Sequence, residues 1–237
     1  MSNAADGVKA LVFDVFGTVV DWRSAILAEG AALARAKGLA VDWPAFIRAW
    51  ESGRRAAMDK VNAGAPWINL SAIYRRLLDE TLAAFGVVGL TEAEKDQFNH
   101  ARCRPNVWPD SLPALKRLRA RYTLATLTNN DYAWAVAMAK HASLPWDAVI
   151  TSELFRRYKP APETYRGALA LLAVEPAQAM MVACHNYDLR AARSHGMRTA
   201  FIPRKEFSDD QTKDQAAEDD WDVVDDDLSG VADRLGA

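Results

Sequence analysis

From about residue 108 onward the sequence alternates short apolar runs with helix-length amphipathic stretches, a rhythm that few folds accommodate. Helical patterns are predicted over 112–121, 132–141, 162–172 and 187–196, and strands over 123–127, 148–150, 180–183 and 198–202. Helices of this length between strands imply βαβ units with right-handed crossovers, hence a parallel sheet covered on both faces. A further strand is predicted at the start, where Val8-Lys9-Ala10-Leu11-Val12-Phe13 is short, apolar and β-branched at both ends. Between residues 21 and 104 the texture is helical throughout. Patterns over 24–37, 43–61 and 70–85 are amphipathic, and Thr91 with Glu94 forms a capping-box signature. The prediction is therefore an α/β fold, a Rossmann-like parallel-sheet core of residues 6–20 and 106–237, with a helical cap inserted at 21–105. The acidic stretch 205–220 reads as a solvated loop.

Composition narrows the class of function. Half of the 237 residues are hydrophobic and 25% charged, ordinary globular values that argue against disorder. Lys and Arg total 29 against 31 Asp and Glu, so a net charge of −2 gives no electrostatic reason to bind nucleic acid or an anionic membrane. Cys103 and Cys184 are too few for a disulfide scaffold or a thiolate zinc site. With neither a membrane-length apolar run nor a signal-peptide pattern, a cytoplasmic enzyme is expected.

In a parallel α/β sheet, sites form beyond the carboxyl ends of the strands. Four loops there carry polar residues straight after an apolar run: Asp14 to Thr18, Thr128 to Asp131, Tyr158-Lys159-Pro160, and His185 to Asp188. Asp14 would emerge at that edge, Gly17 permits a tight turn, and the Thr18 hydroxyl can hold the loop or Asp14. Pro160 keeps Lys159 extended, where it can pair with Asp14.

These four segments, in this order, resemble the motifs of the haloacid dehalogenase superfamily, and the helical insertion resembles its type II L-2-haloacid dehalogenases. The resemblance runs from about Val8 to Arg204. It implies that Asp14 displaces halide from C2 of a short 2-haloalkanoate to form an ester, and that water then releases the 2-hydroxy acid. Lys159 would keep Asp14 ionised, and Asp188 would either orient Lys159 or help activate water. Thr128 and Asn129 would meet the substrate carboxylate or the halide. A possible homodimer is also implied.

Departures from the family patterns sharpen these expectations. Phosphatases of the superfamily place a second Asp two residues after the nucleophile, as acid and base; this chain has Phe16, which would line the substrate side and exclude water. A halide leaves as a stable anion and needs no proton. The fourth loop, Ala183-Cys184-His185-Asn186-Tyr187-Asp188, has one acidic residue, so neither a metal nor any other cofactor is expected. It carries Ala183 and His185 where the dehalogenase pattern has Ser and Asn, so His185 either positions water, with Asn186 beside it, or is structural. The halide-binding arginine is open among Arg48, Arg54 and Arg55, with Glu51 at one plausible equivalent position. Trp50 and Trp67 either line the pocket or pack in the cap. The alternatives are a Mg²⁺-dependent phosphatase or phosphonate hydrolase, or a silent binding protein for a small acid.

Overall fold

The computed structural model describes residues 5–204 and 214–237. The chain runs through β1 (Ala10–Phe13), β2 (Val20–Asp21), α1 (Trp22–Lys37), α2 (Trp43–Ser52), α3 (Arg54–Asn62), α4 (Leu70–Ala84) and α5 (Glu92–Asn99). A 3-10 turn, His100–Cys103, leads to β3 (Asn106–Val107), α6 (Ser111–Arg119), β4 (Thr123–Thr126) and α7 (Tyr132–His141). Then come α8 (Pro162–Leu172), β5 (Ala179–Ala183), α9 (Asn186–Ser194), β6 (Arg198–Phe201), β7 (Val223–Val224) and α10 (Leu228–Arg234).

One sheet has the order β4-β1-β5-β6-β7, and every pairing in it is parallel. Alternation along β1 divides its neighbours. Leu11 and Phe13 face a core shared with Leu115 and Leu118 of α6, Met138 of α7 and Val231 of α10. Val12 faces the opposite core, with Tyr165 and Leu169 of α8 and Leu189 of α9. Both faces are covered, which is why all four β1 residues are buried and apolar. Burying such side chains contributes roughly 1.5–3 kcal/mol each. Because β1 lies between β4 and β5, the chain's direction across the sheet reverses there, and a crevice opens beyond its carboxyl end.

The helices α1 to α5 leave and rejoin the sheet domain through the antiparallel pair β2 and β3, and they build a separate apolar cluster around Phe46, Trp50, Ile73, Leu78 and Phe98. Asp21 and Asp42 cap α1 and α2 through the backbone N–H groups of Ser24 and Ala45, both at 3.0 Å. The expected capping box at Thr91 and Glu94 forms at the start of α5.

Two expectations need correction. The 43–61 pattern is two helices, parted at Gly53, where a Cβ would come within 2.4 Å of a Leu77 methyl; close packing against α4 overrides the continuous periodicity. The 148–150 segment makes only isolated bridges, Ala125 to Ala148 and Thr128 to Thr151, so it flanks the outer edge of β4 without a ladder. Of the expected solvated loop, residues 205–213 lie outside the described residues; 214–220 carry no helix or strand and are largely exposed, with the Asp214 carboxylate accepting from the Asn186 backbone N–H of α9 at 2.8 Å.

The helical block is seated on the sheet domain by polar contacts at its base. The N-cap of α4, Asn69, makes no side-chain cap bond of its own. Instead Asp131, in the loop after β4, accepts from the N–H groups of Leu70 at 2.7 Å and Ser71 at 3.1 Å. A carboxylate from the other unit thus satisfies the orphan donors and complements the helix dipole. Asp131→Ala is expected to lower stability by about 0.5–2 kcal/mol, read as a lower urea midpoint; an unchanged midpoint would show that this contact does not hold the two units together.

Candidate active site

Asp14 follows β1 directly, and its backbone N–H still donates to Val182 of β5 at 3.0 Å. The turn that follows needs Gly17 at φ +86°, and it brings the Thr18 hydroxyl back to donate to Asp14 Oδ2 at 2.8 Å. Thr18 also accepts from the Cys184 N–H at 3.0 Å, tying this loop to the end of β5. Arg204 secures the turn from outside, donating to the Thr18 carbonyl at 2.9 Å while holding Asp110 with both terminal nitrogens.

Lys159 is buried between two carboxylates. Its Nζ donates to Asp14 Oδ1 at 2.8 Å and also to Asp188 Oδ2. Asp188 is wholly buried and accepts from the Tyr165 hydroxyl at 2.5 Å through its other oxygen. The backbone on either side of Lys159 is gripped by two amides. Asn129 accepts from the Lys159 N–H at 2.7 Å, and Asn62 of α3 both accepts from the Tyr158 N–H and donates to its carbonyl, at 2.9 Å each.

Burial penalises both carboxylates, but Lys159, His185 and hydrogen bonds from Lys159 and Thr18 outweigh it at Asp14 and hold that group below the usual carboxylate range. At Asp188 burial and the Asp14 charge win over Lys159, and its value is raised. Lys159 is pushed upward: burial works against its charge, and the two carboxylates more than offset that.

His185 begins the fourth loop. Its Nδ1 lies 3.0 Å from Asp214 Oδ2, and its Nε2 lies 3.8 Å from Asp14 Oδ2 and 3.7 Å from Cys184 Sγ. Burial alone would lower its pKa, but Cys184, the Asp214 hydrogen bond and Asp14 carry it well above 6.5.

Asp14, Phe16, Thr128, Asn129, Lys159, His185, Arg48 and Arg54 all line one cavity of ≈ 570 Å³ between the sheet edge and the helical block. Thr128 lines this cavity, and its hydroxyl is buried without a hydrogen-bond partner among the described residues. Arg54 pairs with Glu51 at 3.3 Å, and its guanidinium is close enough to Tyr74, Glu51 and Asp14 for them to raise its pKa against the effect of burial.

Three candidate site residues lie outside the cavity lining, and Asp188 meets it only through its neighbours. Trp50 is fully buried in the helical block, donates to the Tyr74 carbonyl at 2.8 Å, and lies 4.7 Å from the Arg102 guanidinium. Thr18 is fully buried beneath Asp14 and supports it rather than touching the cavity. Asn186 turns away, joining Asp214, the Ala216 carbonyl and the Trp221 indole. Asp188 is paired with Lys159 and is not among the residues lining the cavity. Trp67 stacks on Tyr158, 4.6 Å between ring centroids, outside the cavity.

Several cavity residues escaped the sequence. Arg102 reaches in from the 3-10 turn, pairs with Glu51 and lies 3.5 Å over the Tyr74 ring. Glu51 thereby gathers Arg54, Arg102 and the Tyr74 hydroxyl at 3.2 Å. Neither Arg102 nor Asp214 belongs to any local pattern, so only the fold could find them.

The Mg²⁺ used by phosphatases of this fold does not fit here. Such hard ions take oxygen ligands. Asp188 is committed to Lys159 and Tyr165, and the donors nearest Asp14 Oδ2 include a ring nitrogen and a sulfur.

A family model described as haloacid dehalogenase-like hydrolase matches residues 8–196. The chain belongs to this family. Among solved relatives of this hydrolase, the L-2-haloacid dehalogenase PA0810 is 40% identical, with 96% of this chain and 99% of that one covered at a TM-score of 0.91. The defluorinating L-2-haloacid dehalogenase Rha0230 is 37% identical, covering 97% and 96% at a TM-score of 0.93. A curated relative, (S)-2-haloacid dehalogenase 4A of Burkholderia cepacia, is 28% identical over 207 residues, 84% of this chain and 85% of its own.

Lys159→Met would leave two neighbouring buried carboxylates without a cation. Stability at pH 7 should fall by about 3–5 kcal/mol, measured by urea unfolding. In the variant both carboxyls bind protons more tightly folded than unfolded, so the deficit should shrink as the pH is lowered from 7 toward 5. A deficit that is constant with pH would mean that the ion pairs are not its source.

Proposed function

We propose that this hydrolase cleaves the carbon–halogen bond of short 2-haloalkanoates through an ester on Asp14, without a metal. The observation that carries the reading is the ionised Asp14 lining the cavity beside Lys159, with Phe16 where a phosphatase would carry its acid. Relatives named as 2-haloacid dehalogenases support the substrate class.

The helical block, residues 21–105, acts as the cap, and the substrate carboxylate lies toward the unpartnered Thr128 hydroxyl. Arg54, which lines the cavity with Asp14, receives the departing halide. An Asp14 oxygen attacks C2 from the side opposite the halogen, the carbon–halogen bond breaks, and halide leaves with the electron pair. Phe16 keeps water from competing at this stage.

Ester formation cancels the Asp14 charge, one of the influences that keep His185 protonated. The imidazolium then gives its proton to solvent, and the neutral ring, steered by Asp214, takes a proton from water as the water oxygen attacks the Asp14 carbonyl carbon. As the intermediate collapses, the ring passes that proton to the leaving oxygen of the 2-hydroxy acid, and the Asp14 carboxyl loses its own proton to regain its charge. Lys159 is the positioning cation throughout, with Asp188 and Tyr165 behind it.

Halide release from 2-chloropropionate should persist in EDTA and vanish in Asp14→Asn. With enzyme in excess in oxygen-18 water, the first product should be unlabelled and the label should appear in Asp14 by mass spectrometry. Label in the first product would replace the ester route with direct attack by water. His185→Gln should slow ester breakdown by about 10²–10⁴-fold, so that the ester accumulates in acid-quenched samples.

A further inference from the structure

Cys184 has no part in the chemistry above, yet its sulfur is placed where it can matter. It follows β5 immediately and lies 3.7 Å from His185 Nε2, which in turn is 3.8 Å from Asp14 Oδ2. All three ligand atoms lie within 4.8 Å of one another. With metal–ligand bonds of about 2.0–2.3 Å, ligands around a tetrahedral zinc ion are separated by about 3.3–3.7 Å. The two separations from His185 are therefore already near those of a filled site.

Three further features fit an ion. The Asp214 carboxylate holds His185 Nδ1 at 3.0 Å, the carboxylate–histidine pairing that leaves Nε2 aimed at a metal. Lys159 occupies Oδ1 of Asp14, whereas the cluster uses Oδ2, which keeps a lone pair beside the Thr18 hydrogen bond. A fourth position would face the cavity that Asp14 and His185 line, open to water.

We propose that Asp14, Cys184 and His185 bind one thiophilic divalent ion, Zn²⁺ or Co²⁺ rather than Mg²⁺, and that the ion blocks the nucleophile. Mixed oxygen, nitrogen and sulfur donors select borderline metals over hard ones. Binding expels the thiol proton and any proton on Nε2 to solvent, leaving a divalent ion with a carboxylate, a thiolate and a neutral imidazole. Asp14 is then coordinated through the oxygen that faces His185, and His185 can no longer accept a proton. The binding claim stands on geometry alone; the blocking claim rests on the proposed function.

The test uses EDTA-treated, dialysed full-length protein. Co²⁺ should give a thiolate-to-metal charge-transfer band in the near ultraviolet, and Zn²⁺ should displace it at one equivalent. Cys103→Ser should keep the band, Cys184→Ala should lose it, and Asp214→Ala should weaken Zn²⁺ binding by about 10–100-fold. Circular dichroism of each variant separates loss of a ligand from loss of the fold. A Co²⁺ spectrum without the thiolate band, or equal Zn²⁺ affinity in folded Cys184→Ala, overturns the site. These readouts need no substrate, so they hold whatever the enzyme turns over. Zn²⁺ should also stop halide release competitively with substrate and reversibly by EDTA; a zinc-loaded enzyme with full turnover overturns the blocking role.

Discussion

The structure is organised around one buried ammonium group, Lys159 Nζ, shared by the carboxylates of Asp14 and Asp188. Removing such charges from water costs several kcal/mol per ion, offset only when geometry and further hydrogen bonds are good. That requirement explains much of the surroundings. Tyr165 takes the far oxygen of Asp188, Thr18 takes the second oxygen of Asp14, and Asn129 and Asn62 fix the backbone that carries the lysine. The charges do not balance, since two carboxylates meet one lysine. His185 adds positive character 3.8 Å from Asp14, and Arg54 lines the same cavity.

The same lysine loop joins the two units of the molecule. Asn62 belongs to the helical block, whereas Asn129 and Asp131 follow β4 of the sheet. The tip of α3 thus holds the Tyr158 backbone while Asp131 holds the start of α4, and the two units meet through a few directional contacts beside the Lys159 loop. Within the block, Glu51 orders Arg54 and Arg102 around one carboxylate, with Tyr74 and Trp50 packed against the Arg102 guanidinium. The cavity consequently has the Asp14 carboxylate on the sheet side and the Arg54 and Arg102 guanidinium groups on the helical side, an arrangement that suits the anionic substrate proposed above.

Local regularities carried the sequence reading a long way. Apolar runs ending in Asp14, Thr128 and Cys184 mark β1, β4 and β5, because a strand covered on both faces must be continuously hydrophobic. Helix α8 begins with Pro162, and the capping box at Thr91 opens α5, both visible without a fold. The errors share a cause. Gly53 splits a continuous pattern because Leu77 of another helix approaches it, and residues 148–150 lack a ladder although their composition is that of a strand. The short elements β2, β3 and β7 are two residues each, too brief for periodicity to register.

What the sequence determined by itself is the parallel α/β core with its helical insertion, and the assembly of Asp14, Lys159 and His185 at one sheet edge. Strand order and chain direction dictate that loops following parallel strands converge, so residues far apart in the chain can be placed from local signals alone. Only the tertiary structure decided which side chains turn into that space. Trp50, Thr18 and Asn186 turn away from it, while Arg102, Asp214 and Tyr74 turn in. Direction is set by packing and by the demand that each buried charge find a partner, and both are properties of neighbours that the sequence does not make adjacent.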